Sequence, residues 1–312
     1  MPFGQRQPAP DATAAPISAI DIPIPGVVLP TNLLVYPSLA VGEHLSTLET
    51  QMQVLSQQRG LRSGAFFVEL NSKRYVDLKG DEPFSAASVI KLPILVEFFR
   101  QVDSGRIQLD EVLTLRQDHK GGGSGWLQYR PNGTKMSALG VATLMIVRSD
   151  NTATNMIIDR VGGQAYLNAQ FERWGLTRTV LRDWLPDLPG QNTTSPRDMV
   201  LLLNELEQGH LLTNEARDLA YNILYRTRVK TLLPRGLDAG TRIAHKTGDI
   251  GKAVGDAGLI ILPDGRRYLA AVLVERPHND RRANRLIGDL SRLFYKEFKA
   301  SRSEQQVQTL SR

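Results

Sequence analysis

The sequence of 312 residues contains no cysteine. That absence excludes disulfide bonds, a cysteine nucleophile and thiolate ligands for a metal ion. The few histidines do not show the spacing of a metal-binding motif either. They are His44, His119, His210, His245 and His278. We therefore expect neither a metal site nor a bound cofactor.

Long apolar runs are also absent from the sequence. No stretch of about 18 apolar residues occurs, so no transmembrane helix is predicted. The opening residues 1–6 lack the charged and then apolar layout of a signal peptide. The chain is basic, with a net charge of +6, but its basic residues are not interleaved with aromatic residues as in nucleic-acid binding motifs. The composition predicts an ordinary globular protein without a nucleic-acid partner.

Proline is concentrated near the start of the chain. Residues 1–38 hold 8 of the 17 prolines, which predicts an extended, disordered leader. We expect the folded domain to span residues 39–300, followed by a polar tail at 301–312.

Within the expected domain, β patterns occur in 39–85 and 229–300, and helical periodicity fills 86–228. Strands from both ends of the chain predict an antiparallel sheet flanked by helices, and the middle segment predicts an inserted all-helical lobe. The fold class is therefore α/β of the α+β type. Predicted helices cover 40–59, 88–102, 138–147, 151–161, 163–174, 196–208, 214–225 and 280–298, and predicted strands cover 63–70, 74–78, 241–247, 257–262 and 267–275.

The first motif that carries chemistry is Ser88 followed three residues later by Lys91. This spacing places both side chains on one face of a helix, one turn apart. A serine at a helix start is also favoured as a nucleophile, because free backbone N–H groups there stabilise negative charge. Lys91 acts as a base only when neutral, and burial with a second cation such as Lys246 would lower its pKa. The alternative is a helix cap at Ser88 and a solvated Lys91.

Two further motifs follow in order, Ser149-Asp150-Asn151 and Lys246-Thr247-Gly248. In the first, Ser149 would transfer a proton and Asn151 would hold an amide of the substrate, although a plain helix cap explains the same residues. The second ends a predicted strand, where glycine permits close approach of a ligand to the backbone.

In the same functional interpretation, Lys246 and Thr247 would bind a carboxylate. The N–H groups of Asp249 and Ser88 would form an oxyanion hole. The alternative for this motif is an ordinary strand end and turn.

With the three motifs in this order, the chain resembles the serine β-lactamase and penicillin-binding protein superfamily, and class A β-lactamases most closely. The similarity runs over residues 40–298. It implies an antiparallel five-stranded sheet with a helical lobe. It also implies that Ser88 is the acyl-accepting nucleophile, that Lys91 and Ser149 transfer protons, and that Lys246 and Thr247 hold the substrate carboxylate.

One loop departs from the class A pattern. Class A enzymes carry a run similar to Trp-Glu-Pro-Glu-Leu-Asn in their omega loop, and its first glutamate activates the water that hydrolyses the acyl-enzyme. The matching run here begins at Trp184, so that Leu185 stands in place of the glutamate and Pro189 in place of the asparagine. Asp187 is close in sequence, but its orientation is open. The departure implies intact acylation and slow deacylation.

A second departure concerns the arginine that often binds the substrate carboxylate near the fourth strand. Ala257 stands at that position, and Arg235 or Arg242 are the candidates to compensate.

The resemblance thus implies a serine hydrolase that forms a covalent acyl-enzyme with β-lactams, with a role in antibiotic resistance or β-lactam catabolism. The expected partner is a small β-lactam or a D-Ala-D-Ala-like peptide, and we expect a monomer outside the cytoplasm, in the periplasm or beyond. Three alternatives stay open: a D,D-peptidase acting on cell-wall peptides, a penicillin-binding sensor without turnover, and an esterase for another carboxylate-bearing substrate.

Overall fold

A computed structural model of the protein describes the backbone of residues 39–310 and the side chains of residues 39–301. The leader predicted for residues 1–38 lies outside the described residues. No described helix combines the length and apolar character needed to cross a membrane.

A five-stranded antiparallel sheet, built from both ends of the described chain, confirms the predicted fold class. The strands of the structure, including four short ones outside this sheet, are β1 Arg62–Glu69, β2 Tyr75–Leu78, β3 Phe84–Ser85, β4 Val112–Thr114, β5 Lys135–Ser137, β6 Thr193–Thr194, β7 Arg242–Asp249, β8 Ala253–Ile261 and β9 Arg267–Glu275. The spatial order of the five-stranded sheet is β2-β1-β9-β8-β7, so that β7 forms one edge.

The predicted helices all occur, and their ends lie within about six residues of the prediction except for the end of the last helix. Several begin where a side-chain oxygen accepts a backbone N–H, as at Ser137, Asp150, Ser195 and Thr213. The helices are α1 Ser46–Ser56, α2 Lys91–Asp103, α3 Ala138–Val147, α4 Asn151–Val161, α5 Gly163–Arg173, α6 Pro196–Glu207, α7 Asn214–Tyr225 and α8 Arg281–Leu310.

Helices cover both faces of the sheet, because its strands carry apolar side chains on both sides. Phe66 in β1 belongs to the core shared with the central helices, whereas the adjacent Phe67 belongs to a second core with α1 and α8. In the second core the rings of Phe67 and Phe294 stack with their centroids 4.8 Å apart. Because side chains alternate between the two faces of a strand, consecutive residues of β1 pack into two separate cores.

The structure corrects the prediction at three places. Helix α8 continues to Leu310, beyond its predicted end at 298, because no glycine or proline interrupts residues 299–310. The short pairs β3–β6 and β4–β5 were not predicted, since two or three residues carry too little periodicity to be recognised. Finally, Ser88 lies in a 3₁₀ turn, Ala87–Ile90, and the α-helix begins after it.

Candidate active site

Ser88 lies in the 3₁₀ turn Ala87–Ile90, which packs against the edge strand β7. Ala87 enters this turn with φ of 44°, a left-handed conformation that residues other than glycine seldom adopt. The turn brings the backbone nitrogen of Ser88 close to Gly248. A methyl group on Gly248 would lie only 2.7 Å from that nitrogen, so the close approach requires glycine.

Lys91 opens α2 and is wholly buried. Its Nζ donates to the backbone oxygen of Ser149 at 2.7 Å, to Ser149 Oγ at 3.1 Å and to Asn151 Oδ1 at 2.8 Å. Burial holds the pKa of Lys91 well below its ordinary value, and the charge of Lys246 lowers that pKa further, against the effect of Asp150. Both causes that the sequence hypothesis invoked therefore act on Lys91, and they favour its neutral form.

Lys246 projects from β7 and is also wholly buried. Its Nζ donates to Ser149 Oγ at 3.1 Å and to the backbone oxygen of Thr247 at 2.6 Å. Burial lowers the pKa of Lys246 to about 7, while the charge of Asp256 opposes that shift. The hydroxyl of Ser149 therefore bridges the Nζ atoms of two buried lysines.

Ser149 reaches this bridging position through an unusual backbone conformation, with φ of 54°. The next residue, Asp150, caps α4 by accepting the N–H of Ala153 at 2.9 Å. Its other oxygen accepts the N–H groups of Trp126 and Leu127 at 2.8 and 2.9 Å. The predicted helix cap thus also fastens a neighbouring loop, a role that local sequence analysis did not identify.

Asn151 begins α4 and is buried among the same residues. Its Oδ1 accepts from Lys91, and its Nδ2 donates to the backbone oxygen of Gly122 at 2.8 Å. In this state the amide of Asn151 joins the glycine-rich loop to Lys91. Contact with a substrate amide remains a prediction.

The edge strand β7 presents the remaining predicted residues. Ile250 N donates to Ala253 O at 3.0 Å, so the alternation of an antiparallel ladder turns the N–H of Asp249 away from β8, toward the open edge. Thr247 is buried one residue after Lys246. The structure therefore gathers Ser88, Lys91, Ser149, Asn151, Lys246, Thr247, Gly248 and Asp249 around one edge of the sheet.

The side chain of Asp249 is paired with an arginine that the sequence analysis missed. Arg276, at the end of β9, donates from Nη2 to Asp249 Oδ1 at 2.6 Å and from Nε to Gly251 O at 2.8 Å. The two candidates named from the sequence contact other regions: Arg242 lies over the ring of Tyr225, and Arg235 packs against Gly288. No local pattern marks Arg276, because only strand pairing places it here.

The 182–192 loop carries Leu185, which is buried. Asn155 of α4 holds its backbone from both sides, since Asn155 Oδ1 accepts the Leu185 N–H at 2.9 Å and Nδ2 donates to the Leu185 oxygen at 2.8 Å. Asp187 is buried too, and its two oxygens accept the N–H groups of Gln191 and Asn192 at 2.9 and 2.7 Å. The open question of its orientation is thereby answered: Asp187 shapes its own loop.

Within residues 39–301, no group of three or more histidine, aspartate or glutamate side chains is placed to hold a metal ion.

The chain is similar to several known proteins. The family described as the beta-lactamase enzyme family matches residues 47–298. The extended-spectrum β-lactamase PER-1 of Pseudomonas aeruginosa is 29% identical over 227 residues, covering 66% of this chain and 72% of that protein.

Among solved structures, PBP-A is 49% identical with a TM-score of 0.82, covering 83% of this chain and 98% of PBP-A. A leucine-to-glutamate variant of PBP-A has been solved as an acyl-enzyme complex with penicillin G. An ancestral class A β-lactamase is 26% identical with a TM-score of 0.75, covering 80% of this chain and 99% of that one.

Proposed function

The chain belongs to the beta-lactamase enzyme family and resembles its class A serine enzymes, and we propose that it acylates itself with β-lactams at Ser88 and releases the product slowly. The observation that carries this proposal is the position of Ser149 Oγ, 3.1 Å from the Nζ atoms of both Lys91 and Lys246. Such an arrangement suits the transfer of a proton from the nucleophile to the leaving nitrogen.

In the first half-reaction, neutral Lys91 accepts the proton of the Ser88 hydroxyl as Oγ attacks the lactam carbonyl. The N–H groups of Ser88 and Asp249 stabilise the negative charge on the carbonyl oxygen. When the C–N bond breaks, the nitrogen takes a proton that passes from Lys91 through Ser149. Lys246, as a cation, and Thr247 hold the carboxylate of the substrate.

The second half-reaction needs a base for the attacking water, and neither Leu185 nor Asp187 of the 182–192 loop is suited to be that base. Leu185 cannot accept a proton, and both oxygens of Asp187 already accept backbone N–H groups. Loss of a general base costs about 10²–10⁴ in rate. We therefore propose that the acyl-enzyme accumulates. The acyl-enzyme of the PBP-A variant with penicillin G supports the first half-reaction, acylation by a β-lactam, in a similar protein.

The open edge of β7 favours a second candidate function. An extended peptide can pair with an exposed strand edge, and the N–H of Asp249 is directed there. A D,D-peptidase acting on a D-Ala-D-Ala-like peptide would use the same acylating residues. Release of D-alanine from such a peptide would identify it, whereas trapping without release of either product would identify a sensor.

A chromogenic cephalosporin is expected to give a burst of about one product per enzyme molecule, followed by a slow linear phase. The amplitude reports acylation and the slope reports deacylation, and intact-mass spectrometry should detect the adduct throughout the slow phase. Absence of both burst and adduct would refute acylation by β-lactams. A fast linear phase without accumulated adduct would refute slow release while leaving acylation in place.

Leu185→Glu is expected to raise the slope of the slow phase by about 10² at unchanged burst amplitude, because it restores a proton acceptor. Asn155 holds the backbone of residue 185, so the loop conformation should survive the change. Leu185→Gln, which has the same shape but does not ionise, is the matched control and should leave the slope unchanged. Equal slopes in the two folded variants would contradict the assigned cause of slow release.

A further inference from the structure

Four charged side chains in and near the candidate site have no exposed surface: two lysines, Lys91 and Lys246, and two aspartates, Asp150 and Asp256. Burying a charge is costly unless other charges or hydrogen bonds compensate for it. Within residues 39–301, neither aspartate forms an ion pair with a lysine or an arginine. Their charges are thus not cancelled by contact with a lysine or an arginine.

The carboxylate of Asp256 is hydrogen-bonded to a histidine ring and to a backbone N–H group. Its Oδ1 lies 2.8 Å from Nδ1 of the wholly buried His245, and its Oδ2 accepts the N–H of Leu233 at 3.1 Å. The other ring nitrogen of His245 lies 3.4 Å from Nζ of Lys230. Gly258 makes room for the histidine, since a methyl group there would lie 2.6 Å from His245 Cβ.

Strand register places this pair directly behind Lys246. Asp256 of β8 is opposite Thr247 of β7, and Ala257 is opposite Lys246. Because side chains alternate along a strand, His245 and Asp256 lie on the face of the sheet opposite to Lys246. A buried carboxylate therefore lies one residue from Lys246 across the sheet, among buried residues where charges are weakly screened.

We propose that Asp256, fixed in place by His245, is a positioning residue that keeps Lys246 charged for the carboxylate of the substrate. This inference deepens the proposed function and rests on it. The charge of Asp150 likewise favours the charged form of Lys91. There, however, burial and the positive charge of Lys246 both lower the pKa of Lys91, which favours its neutral form.

The groups around Lys246 make the direction of the effect clear. Lys91 faces it from α2 across Ser149 Oγ and in its neutral form adds no opposing charge. The hydroxyls of Ser149 and Thr247 are neutral. Burial disfavours the charge of Lys246, and Asp256 favours it. Removing Asp256 therefore lowers the pKa of Lys246 below its value of about 7. Acylation that needs charged Lys246 is lost as the pH rises through this pKa. Without Asp256, the alkaline limb of the profile of acylation rate against pH therefore moves to lower pH.

The test is Asp256→Asn in the full chain, with the acylation rate of penicillin measured against pH. We expect the alkaline limb to move down by about one pH unit, so that acylation at pH 8 falls about tenfold relative to wild type. His245→Asn retains a donor for Asp256 and should keep most of the wild-type limb. Asp198→Asn removes a buried carboxylate that is hydrogen-bonded to Arg178 and Thr179 instead, and it should leave the limb unchanged.

A second readout does not depend on the reaction. NMR titration of isotope-labelled lysine, with the Lys246 signal assigned by Lys246→Arg, measures its pKa directly in wild type and in Asp256→Asn. A lower pKa in the variant supports the inference even if no β-lactam reacts, a result that would refute only the proposed function. The inference is overturned if both folded proteins titrate alike, or if Lys246 of the wild type is already neutral at pH 6.

Discussion

Ser88→Ala is expected to abolish the penicillin adduct, because no other hydroxyl of the site is arranged to replace the nucleophile. Ser149 Oγ is engaged by two lysines, and Ser124 Oγ donates to the backbone oxygen of Arg148 at 3.1 Å. The variant should fold, since backbone hydrogen bonds build the turn, such as that from Lys91 N to Ser88 O. Intact-mass spectrometry after incubation with penicillin measures the result.

Ser85→Ala is the matched control for this experiment. Its hydroxyl is buried three residues earlier and has no hydrogen-bond partner among the described residues. Loss of an unsatisfied buried hydroxyl is not expected to destabilise the protein, and acylation should be unchanged. An adduct of equal yield on Ser88→Ala would contradict the assignment of the nucleophile.

Lys91→Met is expected to lower the acylation rate by about 10³, because it removes the base that activates Ser88. Methionine has a similar length and carries no charge, so the desolvation cost of the ammonium group disappears. The backbone oxygen of Ser149 and Asn151 Oδ1 then lose this donor, whereas Ser149 Oγ keeps the one from Lys246. Lys246 and Thr247 are untouched, so binding of the substrate carboxylate should persist.

The measurement is the dependence of the acylation rate on penicillin concentration. The limiting rate should fall while the concentration for half-maximal rate changes little, which separates loss of a base from loss of binding. Lys135→Met, at an exposed position of β5, controls for the loss of a lysine and should behave as wild type. A drop confined to the half-maximal concentration would show that Lys91 binds substrate and does not activate Ser88.

Much of the helical lobe could be predicted because its signals are local. Asp150, Ser195 and Thr213 are cap residues placed immediately before apolar periodicity, and helices α4, α6 and α7 begin directly after them. The three motifs also identified which residue types make up the site. Their chemistry follows from side-chain type and from spacing within a single turn of helix.

Tertiary structure alone decided how these residues act on one another. The two lysines meet at Ser149 Oγ because α2 and β7, far apart in the chain, pack on either side of it. Packing likewise turned Asp187 into its own loop and brought Arg276 to Asp249.

The pairing of Asp256 with His245 has the same origin, because it arises from the register of β7 against β8. Residue types are local and can be read along the chain. Burial, and the charges that shift the pKa of a lysine, depend on neighbours that are distant in sequence, and only folding supplies them.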